Sequence, residues 1–335
     1  MKKIVLTICQ IALTAGILFW VFRDPSKRSE MAETLQNANM VWLLLAVVLF
    51  GVLQIFGMAR WFILLRAVGI IVAPWRIACL YLIGIFFNLF MLGSTGGDVV
   101  KIFYIFREAP AQKSAAFTSV VVDRVVGLMA LILLTAGLVL LKFQWLTSNE
   151  VAANYVYALL AVLAAAIGGL GFVVVITWLN LAHKLPQWTP LRAKLIEVSD
   201  ALQTYGRTPG TLAVAFAISI VGHCTFFFVF FLLALAFGAN VPWVEFFSIM
   251  PIVATFTALP ITFGGLGVRE KLFEHLLGGL SDVPVQVATL IGSGGFIVAM
   301  LWALVGGVVY VLYRSAVGVP KAAEAAEALE KPSNG

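Results

Sequence analysis

Six stretches of this chain are apolar over lengths that reach across a lipid bilayer: residues 4–22, 40–58, 119–141, 155–179, 211–237 and 285–313. A helix needs roughly 20 such residues to cross the hydrocarbon core. Hydrophobic residues make up 62% of the sequence and charged residues 11%, against about 45–50% and about 25% in soluble domains. That balance excludes a soluble globule. It also excludes a disordered chain, which is poor in apolar residues and rich in charge. Runs this continuous fit helices, because barrel strands alternate. The expected fold class is an all-α polytopic membrane protein. Met1-Lys2-Lys3 and the run after it have the look of a signal peptide. The run ends without a small-x-small cleavage site, so it is read as a retained first span.

Two further stretches, 77–92 and 246–259, are apolar but short. Each begins near a Pro-Trp pair and ends in a glycine-rich turn. Segments of this kind are expected as re-entrant hairpins, allowed where protein or a polar cavity satisfies the broken backbone. That makes eight hydrophobic segments, and Lys and Arg positions test how many of them cross. With six spans, two re-entrant segments and the N-terminus inside, fifteen Lys and Arg fall on the cytoplasmic side and six outside, leaving out Arg124. If all eight crossed, the split would be nine and twelve. The positive-inside rule favours the first arrangement, with both termini cytoplasmic. The net charge of +6 is thus a topology signal, and no nucleic-acid partner is expected.

The chain repeats itself at a constant offset close to half its length. Pro74-Trp75 falls on Pro242-Trp243, Gly96-Gly97 on Gly264-Gly265, Val100 on Val268 and Lys101 on Arg269, with no gap between them. The matches sit on the residues that set backbone geometry. The expected organisation is a transmembrane domain over 1–313, with repeat one at about 1–145 and repeat two at about 150–313. Residues 314–335 form a cytoplasmic tail expected to be disordered. Each half holds three spans and one re-entrant hairpin. An odd number of crossings turns the second half upside down, the inverted-repeat plan of many transporters. Residues 191–205 carry Leu191, Leu195, Val198 and Leu202 on one face, which fits a surface helix or a helical loop packed on the spans.

Three groups of residues are candidates for binding. Gly96, Gly97, Asp98 and Lys101 combine a glycine turn, a helix N-terminus whose amides attract anions, and a cation one turn in. A glycine turn with an Asp cap and a snorkelling lysine is the structural alternative. Gly264, Gly265, Gly267, Arg269 and Glu270 have the same parts, and Arg269 can fork two donors onto a phosphate or carboxylate. Its alternative is an Arg–Glu pair at an interface. Asp123 and Arg124 are costly near the start of a span unless paired or wet. Asp123 is expected to meet Lys101 or Arg60, and Arg124 to meet Asp98. His223 reads as a helix–helix hydrogen bond and Glu245 as an interfacial carboxylate. Gly168, Gly169, Gly171, Gly292, Gly294 and Gly295 read as close helix packing. Cys9, Cys79 and Cys224 are read as buried hydrophobes. No metal-ligand spacing, P-loop or hydrolase motif is present, so no metal, cofactor or enzymatic role is expected.

Arg60-Trp61 at the end of a span, Gly96-Gly97-Asp98 with Lys101, Ser119 through Asp123-Arg124, and Gly264-Gly265-Leu266-Gly267-Val268-Arg269-Glu270 together resemble the lysylphosphatidylglycerol synthase transmembrane-region family, also called flippase-like proteins. The resemblance covers about 40–313. Where that family often has proline before the first glycine turn, this chain has Leu92-Gly93. The resemblance implies a bacterial or archaeal cytoplasmic-membrane protein that moves lipids between leaflets. Fused members carry a soluble aminoacyl-transferase domain that is not seen here, so lysyl transfer is not expected. The leading expectation is a lipid translocator acting on an anionic or lipid-linked head group, driven downhill or by an ion. The alternative is a membrane scaffold or regulatory subunit of a lipid or glycan pathway. An enzyme on a lipid-linked phosphate ranks last. Expected partners are a membrane lipid and either a second copy of the chain or a lipid-biosynthesis enzyme.

Overall fold

The computed structural model describes residues 25–90, 96–179, 192, 196, 203–258 and 262–317. Among the described residues every regular element is helical. In chain order these are α1 (Pro25–Gln36), α2 (Met40–Ala67), α3 (Pro74–Phe90), α4 (Gly96–Glu108), α5 (Lys113–Leu141), the short α6 (Phe143–Leu146), α7 (Glu150–Trp178), α8 (Pro209–Ala236), α9 (Trp243–Ala258), α10 (Val268–Ser281) and α11 (Val285–Val317). Within a bilayer only a helix satisfies its own backbone groups, so long apolar runs become long helices. α2, α5, α7, α8 and α11 are long and apolar enough to cross a membrane. Their outward faces carry Leu44, Val48, Leu140, Val308 and Val311, all exposed, as lipid-facing surfaces require.

The helix ends follow local chemistry. The Asn39 side chain accepts the Val41 N–H at 3.0 Å and caps α2. Pro74 opens α3 and Pro209 opens α8, positions where a missing N–H is harmless. α2 and α8 also end alike. Ile70 N–H donates to Leu65 O and Ala239 N–H to Ala234 O, while Gly69 and Gly238 take φ of 79° and 78°. Both are left-handed glycine caps of the kind that close a helix with a six-to-one bond.

Moved by the offset that carries Pro74 onto Pro242, α2 becomes 208–235, which is α8 to within one residue, and α3 becomes 242–258, which is α9. α4 and α5 fall on α10 and α11 with larger differences at their ends. α2 packs on α8 along the centre of the molecule, α3 on α4 and α11, and α10 on α11. One core joins Phe230, Phe246, Phe273 and Ile291 in the second half. Another joins Trp61, Leu80, Ile83, Tyr104 and Tyr313 around α3 and α4.

Several sequence expectations shift. The 40–58 span continues to Ala67, because Arg60 and Arg66 are accommodated at its end instead of stopping it. The last helix passes residue 313 and runs to Val317. The first span, 4–22, lies outside the described residues, as do most of 191–205 and the tail beyond Val317. Gly168, Gly169 and Gly171 do not serve close packing: no described atom lies within 4 Å of a Cβ built on any of them. Gly292, Gly294 and Gly295 do serve it, against Glu270, Phe237 and Phe230.

Candidate functional site

α3 and α4 touch backbone to backbone. A Cβ on Gly97 would overlap the Gly84 carbonyl oxygen, and one on Gly84 would lie 2.7 Å from Lys101 Cε. Gly97 is needed for this approach and not for a left-handed backbone, since its own φ is not positive. The second tip needs glycine for its backbone as well: Gly264, Gly265 and Gly267 take φ of 60°, 74° and 81°, and a Cβ on Gly265 would fall 2.9 Å from Thr257 Cβ. The tips come close to each other, with a Cβ on Gly264 falling 3.5 Å from Leu89 Cδ1 of α3.

The first tip leads into a cluster of five charges. Arg60 of α2 binds Asp123 of α5 through two bonds, Nε to Oδ1 at 2.6 Å and Nη2 to Oδ2 at 3.0 Å. Its Nη1 donates to Ser219 Oγ of α8 at 2.9 Å, tying the two halves together. Arg124 Nε donates to Asp98 Oδ2 at 2.6 Å. Arg124 with Asp98 is the pairing expected, and of the two partners expected for Asp123, Lys101 or Arg60, the structure selects Arg60. Lys101 is 6% exposed. Its Nζ lies 3.6 Å from Asp98 Oδ1 and 4.2 Å from the centre of the Tyr81 ring. The ammonium is therefore held by an aromatic face as well as by a carboxylate.

Both helix N-termini are already engaged. Gly97 N–H donates to Asn88 Oδ1 at 2.8 Å, and Gly267 N–H donates to Glu270 Oε2 at 2.6 Å. The expected anion seat at the opening of each helix is partly filled by the protein itself. Glu270, 1% exposed, also accepts from Ser293 Oγ at 3.1 Å. It caps its helix and makes no salt bridge with Arg269, whose guanidinium it still attracts through space. Arg269 instead donates Nη2 to the Gly264 carbonyl at 3.1 Å and lies over the Phe230 ring. Its Nη1 is buried without a partner among the described residues. The structure therefore gathers Asp98, Lys101, Asp123 and Arg124 around Arg60 and leaves Arg269 and Glu270 at the second tip.

Beside the charge cluster lies a cleft of about 350 Å³ between α2, α3, α5, α8 and α9. Arg60, Tyr81, Ser219 and His223 form part of its wall. His223 bonds Gly127 O at 3.0 Å, the helix–helix use expected of it. Glu245 pairs with Lys142 at 3.5 Å.

The model of the lysylphosphatidylglycerol synthase TM region matches residues 7–306. The chain belongs to this family. Membership ties it to membrane lipids, and the matched span contains both glycine tips, the charge cluster and the cleft. No curated protein matches the chain. Sequence reasoning missed Tyr81, Gly84, Asn88 and Ser219. Asn88 and Ser219 were visible as polar residues inside apolar runs. Nothing local marks Gly84 as the point where another helix touches.

Proposed function

We propose that the protein is a lipid translocator, moving an anionic or lipid-linked head group between the leaflets of the cytoplasmic membrane. The observation that carries this reading is the charge cluster of Arg60, Asp98, Lys101, Asp123 and Arg124, set among spanning helices beside a partly polar cleft. Charges within spanning helices are expensive and mark pathways for polar cargo. Lys101, Arg124 and Arg269 are the cations proposed to meet the head group, while acyl tails stay in the bilayer. Asp98 and Asp123 hold two of the arginines in place. No enzymatic step forms part of this reading.

In the proposed topology both termini are cytoplasmic. α3–α4 and α9–α10 are re-entrant hairpins entering from opposite faces, in two inverted halves. Three observations support it. α3 and α9 have 17 and 16 residues, about 25 Å at 1.5 Å per residue, shorter than the roughly 30 Å hydrocarbon core. Trp75 and Trp243, at their starts, are exposed as interfacial anchors are. The Lys and Arg split points the same way.

The test is reconstitution of the purified chain in vesicles with a head-group-labelled anionic lipid. Protein-dependent exchange between leaflets is expected. The scaffold reading draws on the mutual pairing of Arg60 with Asp123 and Arg124 with Asp98, which also serves a purely structural clamp. It expects no exchange by the protein alone.

A further inference from the structure

The cleft holds polar groups that neither the fold nor the charge cluster uses. Gln54, on α2, is 7% exposed and lines the cleft. Among the described residues nothing hydrogen-bonds its side-chain amide, yet the amide is not sealed from the cavity. The Tyr81 hydroxyl is in the same position. His223 adds a third group. A carbonyl oxygen only accepts, so the bond to Gly127 O places the proton on Nε2. In the neutral ring Nδ1 is then an acceptor.

Depth makes these groups costly. Gln54 and His223 fall halfway along their 28-residue helices, where a bilayer offers the fewest partners. An amide left without partners in an apolar setting is unfavourable. An apolar residue of similar shape would serve packing better. The arrangement makes sense if something in the cleft completes the hydrogen bonds.

The chemistry of that occupant follows from the walls. Gln54 and Tyr81 each donate and accept, and His223, whose Nδ1 accepts, lines the same cleft. Among the described lining residues the one formal charge is Arg60, and the Asp123 carboxylate already meets it through two bonds. A free anion would compete with Asp123, and a cation would face the guanidinium. A hydroxyl, which donates and accepts at once, fits all three groups. The rest of the wall is apolar, with Leu53, Phe56, Phe226 and Ala258, and suits a hydrocarbon chain. Its volume lies within the range of about 300–1,000 Å³ usual for small-molecule sites.

We infer that this cleft binds the uncharged, hydroxyl-bearing part of a lipid head group, a sugar or polyol, through Gln54, Tyr81 and His223. The inference deepens the translocation reading and rests on it: a charged moiety is met by the Lys101 and Arg124 cluster, and its neutral hydroxylated neighbour by the cleft.

The test uses the full chain in phosphatidylcholine nanodiscs, photolabelled with an alkyl glucoside that carries a diazirine in its chain. The same chain with a sulfate head and with a trimethylammonium head are the comparisons. The glucoside is expected to label α2 and α8 around Gln54 and His223 in preference to both. Gln54→Met and Tyr81→Phe are each expected to reduce that labelling about three- to tenfold, the loss of one hydrogen bond. Thermal unfolding should be unchanged or raised, showing that both variants fold. Labelling that ignores the head group, or that survives both substitutions, overturns the inference. So does full competition by free glucose, which would make the ligand a soluble sugar. Leaflet exchange is measured in parallel. Head-selective labelling without exchange removes translocation and keeps the cleft, whereas exchange with head-blind labelling removes the cleft alone.

Discussion

At the scale of single residues, the charges in this protein divide by how they are compensated. Asp123 meets Arg60 in a two-bond pair whose side chains are 7% and 17% exposed. Removing one member strands the other among apolar helices. Asp123→Asn is therefore expected to destabilise the fold by about 3–5 kcal/mol, read as a large drop in unfolding temperature in detergent. An unchanged melting curve would show that water already reaches Arg60. Lys101 is different, because its carboxylate contact is long and Tyr81 supplies an aromatic face. Lys101→Gln is expected to lose about 0.5–2 kcal/mol, well below the effect at Asp123, while impairing exchange of an anionic lipid. Arg269→Gln should behave likewise, since its partners are a backbone carbonyl and a ring. A structural role predicts the opposite ordering: lower stability, with intact exchange per folded molecule. Both quantities can be measured on the same purified variants.

At the scale of elements, the first glycine tip serves close approach, whereas the second adds a left-handed backbone to it. In α3–α4 the glycines let two helices touch, so Gly97→Ala is expected to force them apart. Overpacking of this kind is worth about 1–3 kcal/mol, and thermal unfolding of the variant checks it. A neutral Gly97→Ala would mean that the α3–α4 contact is looser than drawn. Gly265, at φ 74°, should tolerate Asn better than Val, because a branched side chain resists the left-handed region. Expression and melting of the two variants provide the comparison. The direction in which α3–α4 enters the membrane is a separate question. With Cys9, Cys79 and Cys224 removed, Ala109→Cys in the loop after α4 is expected to react only with reagent supplied from the cytoplasmic side. Labelling from outside would require α3 to cross and would end the re-entrant arrangement.

At the scale of the whole molecule, the sequence by itself determined the class of fold. Apolar runs of membrane length leave the backbone no option but helix, and that reasoning needs no tertiary contact. The recurrence of the Pro-Trp pair and the glycine turn in each half was legible for the same reason, because glycine and proline act locally on the chain. The pairing of Arg124 with Asp98 was legible as well, and that of Asp123 was narrowed to Lys101 or Arg60, since bare charges in a membrane must find opposites and few were available. Other features were decided only when the helices packed. Gly84 matters because Gly97 lies against it, and no local pattern around Gly84 announces that contact. Glu270 stands next to Arg269 in sequence, yet it turns to the Gly267 amide and Ser293, because adjacent residues on a helix point about 100° apart. The glycines of α7 read as packing residues and face outward, since composition does not say which side of a helix meets a neighbour. The cleft belongs to the same class: Gln54 and His223 sit in opposite halves of the chain, and only the packing of α2 on α8 puts both on one cavity. Properties that depend on the backbone and its immediate neighbours could be read from the chain, whereas those that depend on which faces meet required the assembled bundle.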